Sequence, residues 1–165
     1  MTNGALRIRP IAAEDTDRLI KVRALADNAF RGDSPIEEVD IERTRRYLLQ
    51  PDAFGLVAEV DTTIVGFVLA MDGRLEDGAG VVIPGLCHIA AIFVAPLLWN
   101  RKIGTGLMTK LLATARERGH LRAQLWTQDY NKHARALYAR HGFTATERTK
   151  FDERGDRLML YTRTL

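Results

Sequence analysis

The stretch Asn100–Gly119, "NRKIGTGLMTKLLATARERG", decides how this chain is read. Two basic residues precede two glycines two positions apart, and a helical pattern follows at once. Leu107, Met108, Leu111, Leu112 and Ala115 recur at the spacing of one helix face, and Gly119 closes the pattern. The first N–H groups of a helix lack partners within it and carry the positive end of its dipole, so a helix start attracts anions. Glycine lets the main chain approach a phosphate with no Cβ in the way, and Arg101 and Lys102 add formal charge. Known nucleotide loops do not fit. The string G-x-x-x-x-G-K-[ST] does not occur, and Thr109 stands where G-x-G-x-x-G needs its third glycine. Taken alone, the turn is either a phosphate-holding loop of another kind or a flexible entrance to a helix.

Outward from that turn the chain alternates strand and helix. "CHIAAIFV" (87–94) is a nearly continuous apolar run, as in a strand covered on both faces, and Pro96 ends it. "LRAQLWT" (121–127) reads as the next strand. "NKHARALYARHG" (131–142) reads as a helix with Asn131 as N-cap and Gly142 past its end. "FTATERTKF" (143–151) and "RLMLYTRTL" (157–165) are closing strands around "DERGD". On the N-terminal side "LRIRPI" (6–11) alternates as a strand. Residues 13–31 follow a helical pattern, with Leu19, Ile20, Val22, Arg23 and Leu25 as a partial stripe. "DSP" (33–35) breaks it, and a second helix spans Ile36–Leu49 before Pro51. "FGLVAEV" (54–60) and "TIVGFVLAM" (63–71) form a hairpin around a tight Asp61-Thr62 turn. Residues 72–86, rich in Gly, Asp and Glu, read as a loop.

The order βααβββαβαββ predicts an α/β (α+β mixed) fold. We expect a single mixed, mostly antiparallel sheet of six to seven strands, with a splayed parallel central pair and helices on both faces. A length of 165 residues favours one domain, 1–165. No apolar run reaches the roughly 18 residues that span a bilayer, and "MTNGALRIRP" has no apolar signal-peptide core, so the expected location is cytoplasmic and no membrane partner is expected. Cys87 is the single cysteine, which excludes an internal disulfide and a thiolate-rich zinc site. No Cys-protease signature surrounds it, so it reads as a small buried hydrophobe. No metal is expected. Net charge is +3, but residues 100–165 carry 14 Lys and Arg against 6 Asp and Glu. A basic C-terminal half suits an anionic partner, either nucleic acid or a ligand with several phosphates. Few aromatics interleave with that charge and no nucleic-acid motif is present, so a nucleic-acid partner is not expected.

Two segments together carry a resemblance. "VAPLLWNRKIGTGLMTKLL" contains Arg101, Gly104 and Gly106 in the pattern [QR]-x-x-G-x-[GA]. "NKHARALYARHGF" contains Asn131, Ala134, Leu137, Tyr138, Gly142 and Phe143 in the pattern N-x-x-A-x-x-L-Y-x-x-x-G-F. In order, spacing and placement on the expected elements the pair resembles the GNAT superfamily of acetyl-CoA-dependent N-acetyltransferases, and the element order over the whole chain is similar to that fold. The loop admits two registers. Aligned without gaps from Val94 and Pro96, Trp99 takes the Gln/Arg place and Lys102 replaces the first glycine. Aligned on Arg101, Gly104 and Gly106, the loop is two residues longer than usual.

The resemblance implies acetyl-CoA as cosubstrate, with no metal. It places the pyrophosphate on Asn100, Arg101, Lys102, Ile103, Gly104, Thr105 and Gly106. It assigns the pantetheine and acetyl carbonyl to free backbone groups at Ile92, Phe93 and Val94, and a further cofactor contact to Asn131. Tyr138 becomes the acid that protonates the leaving thiolate. The base is open. His88 stands where some members carry a Glu, and histidine titrates in a useful range, though a histidine satisfied by hydrogen bonds is the competing reading. Trp126 stands where another family pattern has a Glu, so that route is absent. Gln128, Asp129, His133 and a water chain are alternatives. Asp33, Glu37, Glu38, Trp126, Asp152 and Glu153 fall in regions that line the acceptor site in the family, and their acids suit a cationic amine. A small molecule or amino acid with a primary amine, attacking directly in a ternary complex, is the expected acceptor. The alternative is a non-catalytic acyl-CoA sensor of the same fold. A homodimer through the C-terminal strands is compatible with the sequence.

Overall fold

The computed structural model describes residues 4–32 and 38–165. The expected break at "DSP", the expected helix start at Ile36, and Asp33 and Glu37 lie outside them. Among the described residues the chain runs β1 (Leu6–Pro10), α1 (Thr16–Arg31), α2 (Glu38–Leu48), β2 (Phe54–Val60), β3 (Thr63–Arg74), β4 (Val82–Val94), α3 (Ile103–Glu117), β5 (Arg122–Gln128), α4 (Lys132–Arg140), β6 (Thr144–Phe151) and β7 (Arg157–Thr164). This is the expected βααβββαβαββ order. The sheet has seven strands in the order β1-β2-β3-β4-β5-β7-β6, mostly antiparallel, with β4–β5 as its parallel pair. The chain divides into two compact units, Met1–Ala70 with Ala91–Leu111, and Met71–Ala90 with Leu112–Leu165.

In the first unit β1 pairs with β2 from Leu6↔Val60 to Pro10↔Leu56. The β2–β3 hairpin closes at Val60↔Thr63, with Asp61 at φ 55, a left-handed conformation that Asp tolerates better than most residues. Leu19 and Val22 on α1 pack with Val57, Ile64, Phe67 and Leu69 into one buried cluster, against which Ile11, Tyr47, Leu48 and Phe93 are set. The α1 stripe differs from the expected one. Leu19, Val22 and Ala26 are buried, while Leu25 is 48% exposed. The i, i+3, i+7 row decides the face, and small Ala26 holds the place that size alone would give to Leu25.

In the second unit β4 and β5 pair in parallel at Leu86↔Arg122, Cys87↔Ala123 and His88↔Gln124. β5 then continues to Gln128, and its other edge pairs with β7 along its whole length, from Arg122↔Thr164 to Gln128↔Leu158. The registered parallel pairing thus covers three residues of a seven-residue strand. β6 adds to the far edge of β7, with a register shift between Ala145 and Thr149.

The expected loop over 72–86 is corrected. β3 extends to Arg74 and β4 begins at Val82, so the connection shrinks to residues 75–81, with a 3-10 turn at Glu76–Gly78. Composition misled here because the polar residues alternate as in a strand: Met71 and Gly73 are buried, while Asp72 and Arg74 are less so. Gly73 is not a loop glycine. A Cβ there would lie 2.5 Å from the Leu86 side chain, so the missing side chain is what lets Leu86 fit.

Candidate active site

The turn before α3 lies in the first unit and ends in an uncommon backbone. Asn100 and Lys102 both have φ 63, the left-handed region that glycine enters freely. Of the two registers the sequence admits, the gapless one puts Lys102 at the first glycine of the pattern, and position 102 is where the backbone turns left-handed. Gly106 donates its N–H to the Lys102 carbonyl at 3.0 Å, the first bond of the helix ladder. The N–H groups of Ile103, Gly104 and Thr105 therefore have no acceptor further back in the helix. Arg101 and Lys102 are exposed beside them, and Ile103 buries its side chain. Gly106 serves packing: a Cβ would sit 3.3 Å from Ile8 Cδ1.

The strand that feeds this turn is anchored on both sides. The Ala95 N–H donates to the Val65 carbonyl at 2.8 Å, and the Trp99 indole N–H donates to the Val94 carbonyl at 2.7 Å. Gly66 leaves room for the strand, since a Cβ would lie 3.1 Å from the Phe93 carbonyl oxygen. The Phe93 ring meets Phe67 at a centroid distance of 5.7 Å, and the Arg23 guanidinium lies 5.2 Å over it. Arg23 also donates to Thr44 Oγ1 at 2.5 Å and to the Asp40 carbonyl at 3.2 Å, tying α1 to α2. Burial pulls the Arg23 guanidinium below its usual range, against the pull of Asp27 and Asp40. Sequence reading missed Arg23 beside Phe93, because the contact joins two elements some 70 residues apart.

The second unit holds His88, Tyr138 and Asn131. His88 Nδ1 is 3.5 Å from the Gln124 amide nitrogen. Burial, aided by the charge of Lys150 and opposed by Asp77, pushes the imidazole down to about 4, so the ring is neutral at physiological pH. Tyr138 is buried on α4. Its ring meets Phe143 edge-on at 6.2 Å and Tyr161 at 6.1 Å. Burial pushes the phenol above its usual value, so it stays protonated. Asn131 caps α4 as expected, with its side-chain oxygen accepting from the Ala134 N–H at 3.1 Å. Arg135 holds the next layer. It donates to Tyr161 Oη at 2.8 Å and to the Asp129 carbonyl at 2.8 Å.

The remaining expectations fall as follows. Asp152 takes the Arg154 and Asp156 N–H groups, each at 2.9 Å, so this acid shapes its own turn. Glu38 and Glu153 are exposed. Cys87 is fully buried, and desolvation pushes its thiol up to about 12, which suits a packing role. Sequence reading also missed that Trp126 lies beneath two cations. Lys150 Nζ is 4.4 Å and Arg148 Cζ 5.8 Å from its ring centroid. The alternation of Arg148 and Lys150 along β6 was the available signal. No described helix is long and apolar enough to cross a membrane.

Comparison with known proteins identifies the class of protein. Residues 19–143 match the Acetyltransferase (GNAT) family. The chain is 33% identical over 146 residues to an uncharacterised N-acetyltransferase of Archaeoglobus fulgidus, covering 81% of this chain and 90% of that one. It is 31% identical over 147 residues to an uncharacterised N-acetyltransferase of Methanocaldococcus jannaschii, covering 87% of this chain but 62% of that protein. The fold is similar to that of the PaiA N-acetyltransferase of Thermoplasma acidophilum solved with coenzyme A (TM-score 0.70, 20% identity, 94% and 98% of the two chains). It is also similar to the ribosomal-protein-S18-alanine N-acetyltransferase of Escherichia coli (TM-score 0.75, 15% identity, 97% and 94%). The chain belongs to the GNAT acetyltransferase family.

Proposed function

We propose that this protein moves the acetyl group of acetyl-CoA to a primary amine by direct attack in a ternary complex. The observation that carries the reading is the start of α3: three helix-start N–H groups, at Ile103, Gly104 and Thr105, beside exposed Arg101 and Lys102. That donor set fits a pyrophosphate by charge and by hydrogen-bonding capacity. The cosubstrate supplies an activated acetyl thioester. Asn100–Gly106 hold its phosphates, and backbone at Ile92, Phe93 and Val94 meets its pantetheine arm. The Val94 carbonyl already accepts from Trp99, so its remaining lone pair is what it offers. Asn131 spends its oxygen on the helix cap and keeps its amide N–H groups for the ligand.

Tyr138 is the proton donor to the departing thiolate. Its burial keeps the phenol protonated before the reaction, and the same desolvation makes a thiolate more basic, so the transfer suits both partners. His88 is neutral and accepts a proton without first losing one. With its low pKa it relays a proton through water and does not retain it. The acceptor is a small molecule or amino acid.

A binding-only role as an acyl-CoA sensor is the second reading, favoured by the Trp99 bond to Val94 and by Lys102 at a glycine place. Calorimetry with acetyl-CoA, followed by acceptor-dependent release of CoA across a panel of amines, separates the two. The transferase reading expects turnover, and expects Tyr138→Phe to lose about 100-fold in kcat with acetyl-CoA affinity little changed. Tight binding with no turnover on any amine supports the sensor. Normal turnover by Tyr138→Phe overturns the acid assignment.

A further inference from the structure

We infer that the sheet surface around Trp126 recognises a carboxylate on the acceptor, so that the substrate is an amine that also carries an acid group, of which a free amino acid is the simplest. This rests on the transferase reading above and adds the substrate class to it.

The register of the second unit brings the relevant side chains to one face. Ala123, Leu125 and Thr127 of β5 are buried, so Gln124, Trp126 and Gln128 lie on the opposite face, where they are partly exposed. His88 is opposite Gln124, Leu160 is opposite Trp126, and Leu158 links Gln128 to Lys150. The face therefore carries His88, Gln124, Trp126 and Lys150 over an apolar floor at Leu160. Lys150 and Arg148 both lie over the Trp126 ring, at 4.4 and 5.8 Å. Two cations over one ring repel each other unless an anion sits between them. Tryptophan at position 126 offers these cations a ring face and no carboxylate of its own.

The molecule shows what suits these cations. Asp77, from the β3–β4 connection, brings its carboxylate to 3.9 Å from both Lys150 Nζ and Arg148 Nη2. Both pairs are at the outer limit of ion pairing. Asp77 is held there with φ 53, next to Glu76 at φ 54, two non-glycine residues in the left-handed region. Each such residue costs about 1 kcal/mol. A distant, half-exposed carboxylate on a strained turn is one that a better-placed carboxylate displaces. The charge of both Asp77 and Lys150 reaches His88, which ties the patch to the proposed proton relay. The substrate carboxylate pairs with Lys150 and Arg148 as Asp77 gives way, and the aliphatic body lies on the Trp126 ring.

The test has two arms. The first measures initial acetylation rates at saturating acetyl-CoA for amino acids paired with their own carboxamides. We expect kcat/KM to favour the acids by about tenfold or more. Lys150→Met should raise KM for the acids about tenfold and leave KM for the amides unchanged, while any change in kcat through His88 falls on acids and amides alike. Asp77→Asn should lower KM for the acids. The second arm needs no catalysis: N-acetylglycine and N-acetylglycinamide are titrated while the Trp126 indole N–H is followed by NMR. Only the acid should shift it, and Lys150→Met should abolish the shift. Equal rates for acids and amides in the wild type, or an equal rise in KM for both in Lys150→Met, overturn the inference while leaving the transferase reading intact. No turnover on any amine, with an indole shift specific to the acid, defeats the transferase reading but keeps the carboxylate site. No turnover and no shift defeat both.

Discussion

Two helix starts in the first unit deal with negative charge in opposite ways. At the start of α1 the anion belongs to the chain. Asp15 is fully buried and accepts from the Ala12 N–H at 2.7 Å, from Arg9 at 2.8 and 3.0 Å, and from Arg18 at 2.5 Å. Arg9 continues to Glu59 on β2 at 2.8 Å. At the start of α3 the donors are the helix-start N–H groups themselves with an arginine and a lysine, whereas Asp15 takes its one backbone N–H from Ala12, ahead of α1, and the rest from two arginines. Around α1 Arg9 is partly buried and Arg18 exposed, and both converge with the Ala12 N–H on a carboxylate that is itself fully buried, so they stabilise the fold. Around α3 the basic side chains are exposed, and their satisfaction is left to water or a ligand. The comparison teaches that an anion the chain supplies at a helix start is a structural element, while a helix start without one keeps its N–H groups for water or, as proposed above, for a ligand.

The largest expected effect is at the self-supplied site. Asp15→Ala leaves Arg18, the Ala12 N–H and part of Arg9 around a buried hole. It should cost about 3 kcal/mol in urea denaturation, within the range for breaking a buried pair from one side. The pH dependence follows from the same contacts. The Arg9 hydrogen bonds hold the Asp15 carboxyl below the usual carboxylate range, against its burial. A lowered acid stabilises the fold fully above its unfolded value and loses that contribution as pH falls through the folded one. Wild type should therefore lose more stability than Asp15→Ala between about pH 6 and about pH 2.5. Parallel curves for the two proteins would remove Asp15 from its assigned role.

Next in size is Gly104→Asp at the other helix start. It gives α3 a carboxylate of its own, making that entrance resemble that of α1. Acetyl-CoA affinity measured by calorimetry should fall about 100-fold, the effect of setting one charge against the phosphates in place of attraction. The fold should hold, since an acid in the first turn favours the dipole. Unchanged affinity would mean that the phosphates bind elsewhere.

How far the sequence revealed this contrast follows from how local each signal is. α3 and α4 were legible because periodicity and closing glycines act within a turn or two, and for α4 so does the Asn131 cap. Asn131 as the cap and Tyr138 on the buried stripe of α4 were legible for the same reason, while the roles proposed for them rest on the resemblance to the GNAT family. The start of α1 was not, because Asp15 draws on Arg9 across a turn and, through it, on Glu59 some 44 residues away. The ends of β3 and β4 were hidden because Gly73 reads as a loop until Leu86 is known to cross it. Lys150 over Trp126 required the β5–β7–β6 register, which is a long-range property. The two glycines of the turn were legible as a pair but not in their separate uses, since Gly106 gives its N–H to the helix and its empty side to Ile8.

α4 is the intermediate case, a helix start closed by a neutral side chain. Asn131→Ala removes the acceptor of the Ala134 N–H. Thermal or urea denaturation should show a loss of about 1 kcal/mol, as for other N-caps. If Asn131 also gives its amide to the cosubstrate, acetyl-CoA affinity should weaken in the same variant. Asn131→Asp separates the two roles, because it keeps the cap and loses the amide donor. Retained stability with weakened binding would assign both roles, and full retention of both would limit Asn131 to capping.

The smallest effect is expected at Lys102, where conformation and charge oppose each other. Its φ of 63 is one that a lysine adopts at a cost and a glycine does not. Lys102→Gly should therefore stabilise the fold, offset by the greater freedom glycine gives the unfolded chain, for a net gain of about 0.5 kcal/mol or less. The same change removes a cation from the α3 start and should weaken acetyl-CoA binding by about threefold, as befits an exposed charge. Lys102→Ala removes the charge but keeps the Cβ, so it should weaken binding equally without the gain in stability. If glycine instead binds acetyl-CoA more tightly than lysine, the Cβ at position 102 obstructs the phosphates. That result would favour the gapless register, in which this residue stands at the first glycine of the loop, and would put backbone approach ahead of formal charge at this helix start.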